Sequence, residues 1–343
     1  MKPYLIFILF ICSISPQLFG QNSDLKIVLT NDGHDTTFIK DFHEKLVLKT
    51  YIVSKANNFS VTDVKNEITT NFKPNDVTNL GFGVNYKSFG VSIAFIPLGK
   101  KDNHTYGNTQ KLDVQTNMYT RKLGFDLRFQ YYKGFYIDNA SKINPALELD
   151  TLIPLRADIS TLAFGGNIFY VFNSKQFSFK NTFTNTEWQL KSAGSFYAGS
   201  SLSGFRMSAD SIIGPTEIID TLPLGEYFKS VSVLTIGGFG GYAYTYVLAE
   251  KFYITLALAP GLASVQLKAE NGLGEQITKS SRIAFQFNGR MGLGYNSNKI
   301  FAGVSSFWDY SAFPYGENEG RIDFTTGSIR LYFGARFLCC LVA

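Results

Sequence analysis

Cysteine is almost missing from this chain: Cys12 lies in an apolar N-terminal stretch, and Cys339 and Cys340 are adjacent near the C-terminus. Neighbouring cysteines bridge only with strain, so no disulfide framework is implied. Histidine is equally scarce, with His34, His43 and His104 only. No spaced ligand set surrounds them, so His34 with Asp35 is a weak metal pair and solvated histidines are the better reading. Charged residues are only 17% of the chain, and the formal net charge of +5 is spread along it. Without a clustered basic run, nothing argues for nucleic acid. Beyond the first 20 residues no stretch offers the roughly 20 continuous apolar residues that a spanning helix requires.

Aromatics and glycine are abundant instead, with 32 Phe, 19 Tyr and 31 Gly. Diluted by Ser, Thr and Asn, that mixture suits alternating strands better than helices. The start, "MKPYLIFILFICSISPQLFGQ", has a charged residue, an apolar middle and a small-residue end. This is the pattern of a cleavable secretory signal with cleavage between Gly20 and Gln21. Ile11 stands where lipidation of Cys12 would need a small residue. The prenylation-like end Cys340-Leu341-Val342-Ala343 reads as a short apolar tail on an exported chain.

After a polar lead-in, segments alternate in polarity and are separated by turn residues. "LGFDLRFQY" sets Leu123, Phe125, Leu127, Phe129 and Tyr131 against Gly124, Asp126, Arg128 and Gln130. "RIAFQFNGRMGLGY" and "SIRLYFGARF" repeat the pattern. Ile159 to Phe172, Val231 to Val247, Phe252 to Lys268 and Arg282 to Tyr295 are strands of roughly 14 to 17 residues, far longer than the usual five or six. Such lengths suit strands that cross lipid at a tilt. The expected fold is all-β, a transmembrane antiparallel up-and-down β-barrel of about 12 strands, within a range of 10 to 14. The expected division is 1–20 signal peptide, 21–44 periplasmic lead-in, 45–338 barrel and 339–343 tail. Short turns are expected at Lys87-Ser88, Thr120-Arg121-Lys122, Asn173-Ser174-Lys175, Ala249-Glu250-Lys251 and Asn296-Ser297-Asn298. Between Phe177 and Met207 the alternation of long and short connections changes phase; a piece in the lumen or an irregular strand would restore it.

"VSVLTIGGFGGYAYTY" contains Gly238-Phe239-Gly240-Gly241-Tyr242-Ala243, the spacing of a dinucleotide fingerprint. That motif needs a helix at its third position and an acid about 20 residues on. Here Tyr242, Tyr244 and Tyr246 continue with period two, so the glycines belong to a strand, where they relieve crowding or permit a bend.

With the apolar rows facing lipid, the lumen residues are Asp126, Arg128, Arg282, Arg290, Arg330 and Arg336. Five arginines against one clear acid favour anions in a pore. The alternative is that each arginine pairs with a carboxylate or carbonyl of the wall and merely fills a closed barrel. Arg330 and Arg336 lie about 20 Å apart on one face at strand rise and could form part of a ladder. Tyr131, Tyr132, Phe135 and Tyr136, with Trp308 and Tyr310, read as interfacial aromatic belts.

The segments "EKLVLKTYIVSK", "LGFGVNYKSFGVSIAF", "RKLGFDLRFQYYKGFYI", "FYVFNSKQFSFKNTF", "TEWQLKSAGSFYAG", "GYAYTYVLAEKFYITLALAPGL" and "NGRMGLGYNSNKIFAG" together resemble a Bacteroidota family catalogued as domain of unknown function 4421, a group of outer-membrane barrels. The resemblance runs from about Glu44 to Phe337. It implies location and architecture and brings no catalytic residues. Such barrels usually finish on an aromatic residue, whereas "LCCLVA" follows Phe337 here.

The functional expectation is a porin-like pore or small-solute binding and transport barrel with a basic lumen. The alternatives are a closed structural barrel that anchors an envelope assembly, and, third, an outer-membrane hydrolase. An enzyme is not expected, nor a cofactor or metal. Expected partners are outer-membrane lipid, the barrel-assembly machinery during insertion and a small anionic solute, with no nucleic acid. The expected location is the outer membrane of a Gram-negative cell.

Overall fold

The computed structural model describes residues 33–64, 67–86, 89–99, 101–143, 153–213, 228–271, 276–278, 282–315 and 320–338. The expected signal segment, the turn expected at Lys87-Ser88 and the expected tail 339–343 lie outside the described residues. In chain order the elements are β1 (Ile39–Asp41), β2 (Lys45–Asp63), β3 (Ile68–Lys73), β4 (Asn79–Tyr86), β5 (Phe89–Pro97), α1 (Asn103–Tyr106), β6 (Gln110–Tyr119), β7 (Leu123–Ile137), α2 (Ala140–Ile143) and β8 (Leu155–Val171). They continue with α3 (Lys180–Phe183), β9 (Glu187–Gln189), β10 (Ala193–Ile213), β11 (Phe228–Leu248), β12 (Phe252–Asn271), β13 (Gln276–Thr278), β14 (Arg282–Asn296), β15 (Ile300–Tyr315) and β16 (Gly320–Leu338).

Period-two alternation gives each long strand one apolar and one mixed face. In β7, Leu127 and Phe129 are exposed while Gln130 is fully buried. The same holds for Tyr242, Tyr244 and Tyr246 against Ala243 and Thr245 in β11, and for Ile329, Leu331 and Phe333 against Tyr332 in β16. An apolar outer surface on a chain whose polar row points inward is the arrangement that hydrocarbon demands.

The strands pair antiparallel with their neighbours, and the last meets the first: β16 pairs with β2 from Gly320 against Asp63 to Leu338 against Lys45. Ten strands, β2, β3, β7, β8, β10, β11, β12, β14, β15 and β16, thereby form a closed ring. β3 occupies only one end of this interval, pairing with β2 over residues 59–63 and with β7 at Phe72 and Lys73. At the other end β4 pairs with β2 over residues 47–53, β5 pairs with β4, and β6 pairs with β7. There, with β4, β5 and β6 in place of β3, twelve strands surround the lumen.

The short turns at 120–122, 249–251 and 297–299 share the end that holds Lys45 and Leu338. Ala249 and Glu250 take φ of 50° and 58°, as a tight hairpin that follows the strand twist requires. Short turns mark the periplasmic side, called the inner end here. At the outer end the interior is an apolar core that includes Phe59, Phe72, Phe135, Phe205, Met207 and Phe324. The Phe59 and Phe72 rings stack at 4.6 Å. Two members of the expected aromatic belt are corrected by this core. Tyr132 and Phe135 point inward and are buried: Tyr132 lies on the inward row with Gln130, and Phe135 joins it because β7 shifts register between Lys133 and Phe135. Trp308 and Tyr310 lie on the outward row, where the Tyr310 hydroxyl donates to Asp323 at 2.6 Å.

The glycine run of β11 serves close approach. Gly241 faces the lumen, and a Cβ there would lie 2.0 Å from the Leu258 carbonyl oxygen. Gly240 faces outward, with nothing within 4 Å of such an atom. The ladder to β12 skips Gly240 and Gly241, opposite Pro260, which has no N–H to give. Gly241→Val is therefore expected to destabilise the barrel by about 1–3 kcal/mol through overpacking, whereas Gly240→Val is tolerated. Heat-modifiable migration of the refolded barrels in gels, followed through a urea titration, checks the contrast.

Candidate lumen site

The segment after Asn173 does not make a simple hairpin. Residues 173–192 turn into the inner end of the barrel as a plug carrying α3 and β9, and β9 pairs with β1 of the lead-in. This is the source of the phase change in the sequence, and it corrects the short turn expected at Asn173-Ser174-Lys175. The plug is polar yet buried, so its hydrogen bonds are made to protein. Thr182 shares a hydroxyl hydrogen bond with Thr255 at 2.8 Å, which in turn meets Thr245 at 2.8 Å. The Asn296 amide donates to Asn181 at 2.9 Å, and Lys49 donates to the Phe183 carbonyl at 3.2 Å. Trp188 Nε1 donates to the Glu250 carbonyl at 2.6 Å.

Its centre is Glu187. The carboxylate receives Arg121 Nη2 at 2.9 Å, Lys180 Nζ at 3.2 Å and the Ser178 hydroxyl, with all three charged side chains almost fully buried. Burial alone would raise the Glu187 pKa, but Lys180 and Arg121 outweigh it and hold it below the ordinary glutamate value.

Between plug and outer core lies a polar cavity of about 80 Å³. At about 15 Å³ per water this is room for roughly five waters. Three arginines and two aspartates line it. Arg128 pairs with Asp309, which also accepts from the Asn288 amide at 2.8 Å. Arg290 pairs with Asp126 and donates to the Tyr119 hydroxyl at 2.6 Å; that hydroxyl donates onward to Asp126 at 2.7 Å. Arg330 differs. Among the described residues it has no ion pair or hydrogen bond, its Nε is buried without a partner, and its guanidinium lies over the Tyr51 ring at 4.7 Å. The site thus holds one positive charge in excess, set against an aromatic face.

Comparison with known proteins gives the family. Residues 33–337 match the family described as domain of unknown function (DUF4421). The chain belongs to it. No curated protein matches. Among solved structures this DUF4421 chain is similar to the outer membrane protease OmpT from Escherichia coli, at 10% identity and a TM-score of 0.39, covering 87% of this chain and 98% of that one. It is similar to the Pseudomonas putida toluene transporter TodX at 8% identity and a TM-score of 0.28, with 85% and 90% covered. For the translocator domain of the autotransporter NalP from Neisseria meningitidis the figures are 8% and 0.34, with 92% and 94% covered. These likenesses concern barrel architecture alone; the chain's own closed ring and apolar outer band make it an outer-membrane-type barrel.

Of the six lumen residues read from the sequence, the DUF4421 fold brings Asp126, Arg128, Arg290 and Arg330 to one cavity. Arg336 lies at the plug instead: its Nη2 donates to the Asn185 carbonyl at 2.7 Å, and its guanidinium stacks 4.3 Å from Phe42. The arginine ladder therefore spans two layers with different partners. Arg282 stands half-buried at the outer end of β14, outside the cavity lining. Asp309 was missed, although it alternates with outward Trp308 and Tyr310 and so faces inward by the same period. His34 and His43 lie in the lead-in, and His104 sits exposed on α1 beside Asp102. Among the described residues no cluster of His, Cys, Asp or Glu forms a metal site.

Because folding lowers the Glu187 pKa, its contribution is complete above the ordinary value of 4.5 and is lost as pH falls through the lowered folded value. Protection of amides 178–189 from hydrogen exchange, corrected for intrinsic rates, is expected to collapse in that acid window. Glu187→Gln removes the carboxylate that Arg121 and Lys180 share and is expected to cost about 3–5 kcal/mol of the same protection already at pH 7.

Proposed function

We propose that this outer-membrane barrel binds a small anionic solute in its lumen, with the plug guarding the periplasmic side, in place of a permanently open pore. The observation that carries the reading is Arg330. Uncompensated charge in a low-dielectric interior is costly, and removing Arg330 would leave the remaining arginines and aspartates of the cavity in balance. A carboxylate or phosphate there would supply the missing charge and accept hydrogen bonds from the guanidinium. Arg128 and Arg290, already neutralised, shape the walls. The plug and the outer apolar core bound the cavity at its two ends, which favours binding over free conduction. The reading involves no covalent chemistry.

Calorimetric titration of the refolded chain, residues 21 to 343, with sodium acetate is expected to show saturable binding. Arg330→Gln should weaken it at least about tenfold, the loss of one charge-assisted contact, while Arg282→Gln leaves it unchanged. Equal affinity in wild type and Arg330→Gln would sink the reading and favour the closed structural barrel. In planar bilayers the wild type is expected to lack steady openings, and Glu187→Gln to produce flickering ones.

A further inference from the structure

The wall of this cavity is incomplete at one place. β5 is hydrogen-bonded only to β4, and β6 only to β7. The two run side by side, yet among the described residues no ladder joins their facing edges. This seam lies at membrane depth, since Val91, Ile93 and Phe95 of β5 and Leu112 and Val114 of β6 are exposed on the outer surface. Open strand edges do not persist in hydrocarbon; irregular backbone at that depth survives only where it lines a polar cavity. Here it does: Gly90 and Ser92 of β5 and Gln115, Asn117 and Tyr119 of β6 line the cavity that holds Arg330. Both amide atoms of Gln115 are buried without partners at this edge.

The seam is pinned at its two ends. At the outer end β3 bridges β2 to β7, the Asn75 side-chain amide donates to the Gly107 carbonyl at 2.6 Å, and the Asn75 backbone N–H donates to the Thr109 hydroxyl oxygen at 2.8 Å. Thr109 in turn donates to the Gly134 carbonyl at 2.7 Å, which ties the β5–β6 connection to β7. At the inner end the Asn85 amide donates to the Thr184 carbonyl of the plug at 3.0 Å. Between these ends Lys55 of β2 reaches Asp113 of β6 at 2.7 Å on the lumen side, but among the described residues no hydrogen bond joins β5 to β6.

We infer that the seam between β5 and β6 is a lateral port, and that the solute is a single-chain amphiphilic anion whose head sits at Arg330 while its apolar tail passes between the strands into the bilayer. The inference rests on the anion reading above and names its substrate class. Cavity size supports it: about 80 Å³ takes a carboxylate head with a few waters and has no room for a long tail. The apolar outward faces of β5 and β6 would continue the tail's path into lipid, and the unpaired edge groups and Gln115 would meet the head and its waters.

The test uses the chain in lipid nanodiscs, with dansyl-labelled undecanoate as probe and decanoate and acetate as competitors. A double variant, Ser92→Cys with Asn117→Cys in a Cys339→Ser, Cys340→Ser background, closes the seam by oxidation, or with a bis-maleimide where the thiols do not join directly. Decanoate is expected to compete at least about tenfold better than acetate, as burial of its extra methylenes dictates. Closing the seam should reduce decanoate to the level of acetate, and reduction of the disulfide should restore it. Arg330→Gln should weaken both. If decanoate gains nothing over acetate, or closing the seam changes nothing, the port is overturned while Arg330-dependent acetate binding still stands. If no anion binds the wild type, the reading beneath it falls as well.

Discussion

Hydrocarbon offers a peptide group no hydrogen-bond partner, and most of this structure follows from that fact. Every strand that crosses must be laddered on both edges, which is why the last strand returns to pair with the first along its whole length. The same demand gives the place where the ladder fails its meaning. β3 keeps the ring closed at one end, but it is too short to cover the interval, and β4, β5 and β6 occupy the rest. Unladdered backbone at that depth needs water or polar side chains beside it, and the cavity supplies them.

Inside, the constraint is reversed: polar groups are plentiful and water is scarce. The barrel settles most of its buried charge by pairing, with Arg128 on Asp309, Arg290 on Asp126, and Lys180 and Arg121 on Glu187. The pairings of Arg128, Arg290 and Arg121 tie together distant parts of the chain, and that of Arg121 fixes the plug to the turn after β6. Arg336 holds the plug through carbonyl groups rather than through an acid. Against that background Arg330 is conspicuous, because it shares the layer and the burial but not the partner. Paired polar groups fill most of the lumen, and among the described residues Arg330 is the arginine of the cavity without an ion pair or hydrogen bond.

Period two made the wall legible. Leu123 through Tyr131, Ile283 through Tyr295 and Ile329 through Phe337 were assigned faces from alternation alone, and the same rule put Asp126, Arg128, Arg290 and Arg330 in the lumen. Partner identity was not legible, because Asp309 meets Arg128 across 181 positions of chain and nothing local connects them. Tyr132 faces inward by the same alternation as Gln130, but the inward turn of Phe135 depends on a register shift against β8, a pairing event that β7 does not announce in its own residues. The plug announced itself only as an inconsistency. "KNTFTNTEWQ" is polar and without period, and such a segment reads as loop unless the surroundings that satisfy its hydrogen bonds are known.

What the sequence by itself determined is the repeating choice of face and the crossing length: strands long enough to span, apolar on one side, joined by turn residues at one end. Those are local properties, set by side-chain chemistry at spacing two. Tertiary structure alone decided which strands lack a neighbour, which segment fills the inner end, and which arginine of the cavity has no acid. Each of those is a statement about what lies across the lumen or beside an edge, and closure of the ring settles them together. Gly241 stands between the two kinds of information: the residue lacks a side chain by itself, but the reason, the Leu258 carbonyl where a Cβ would lie, exists only once β11 meets β12.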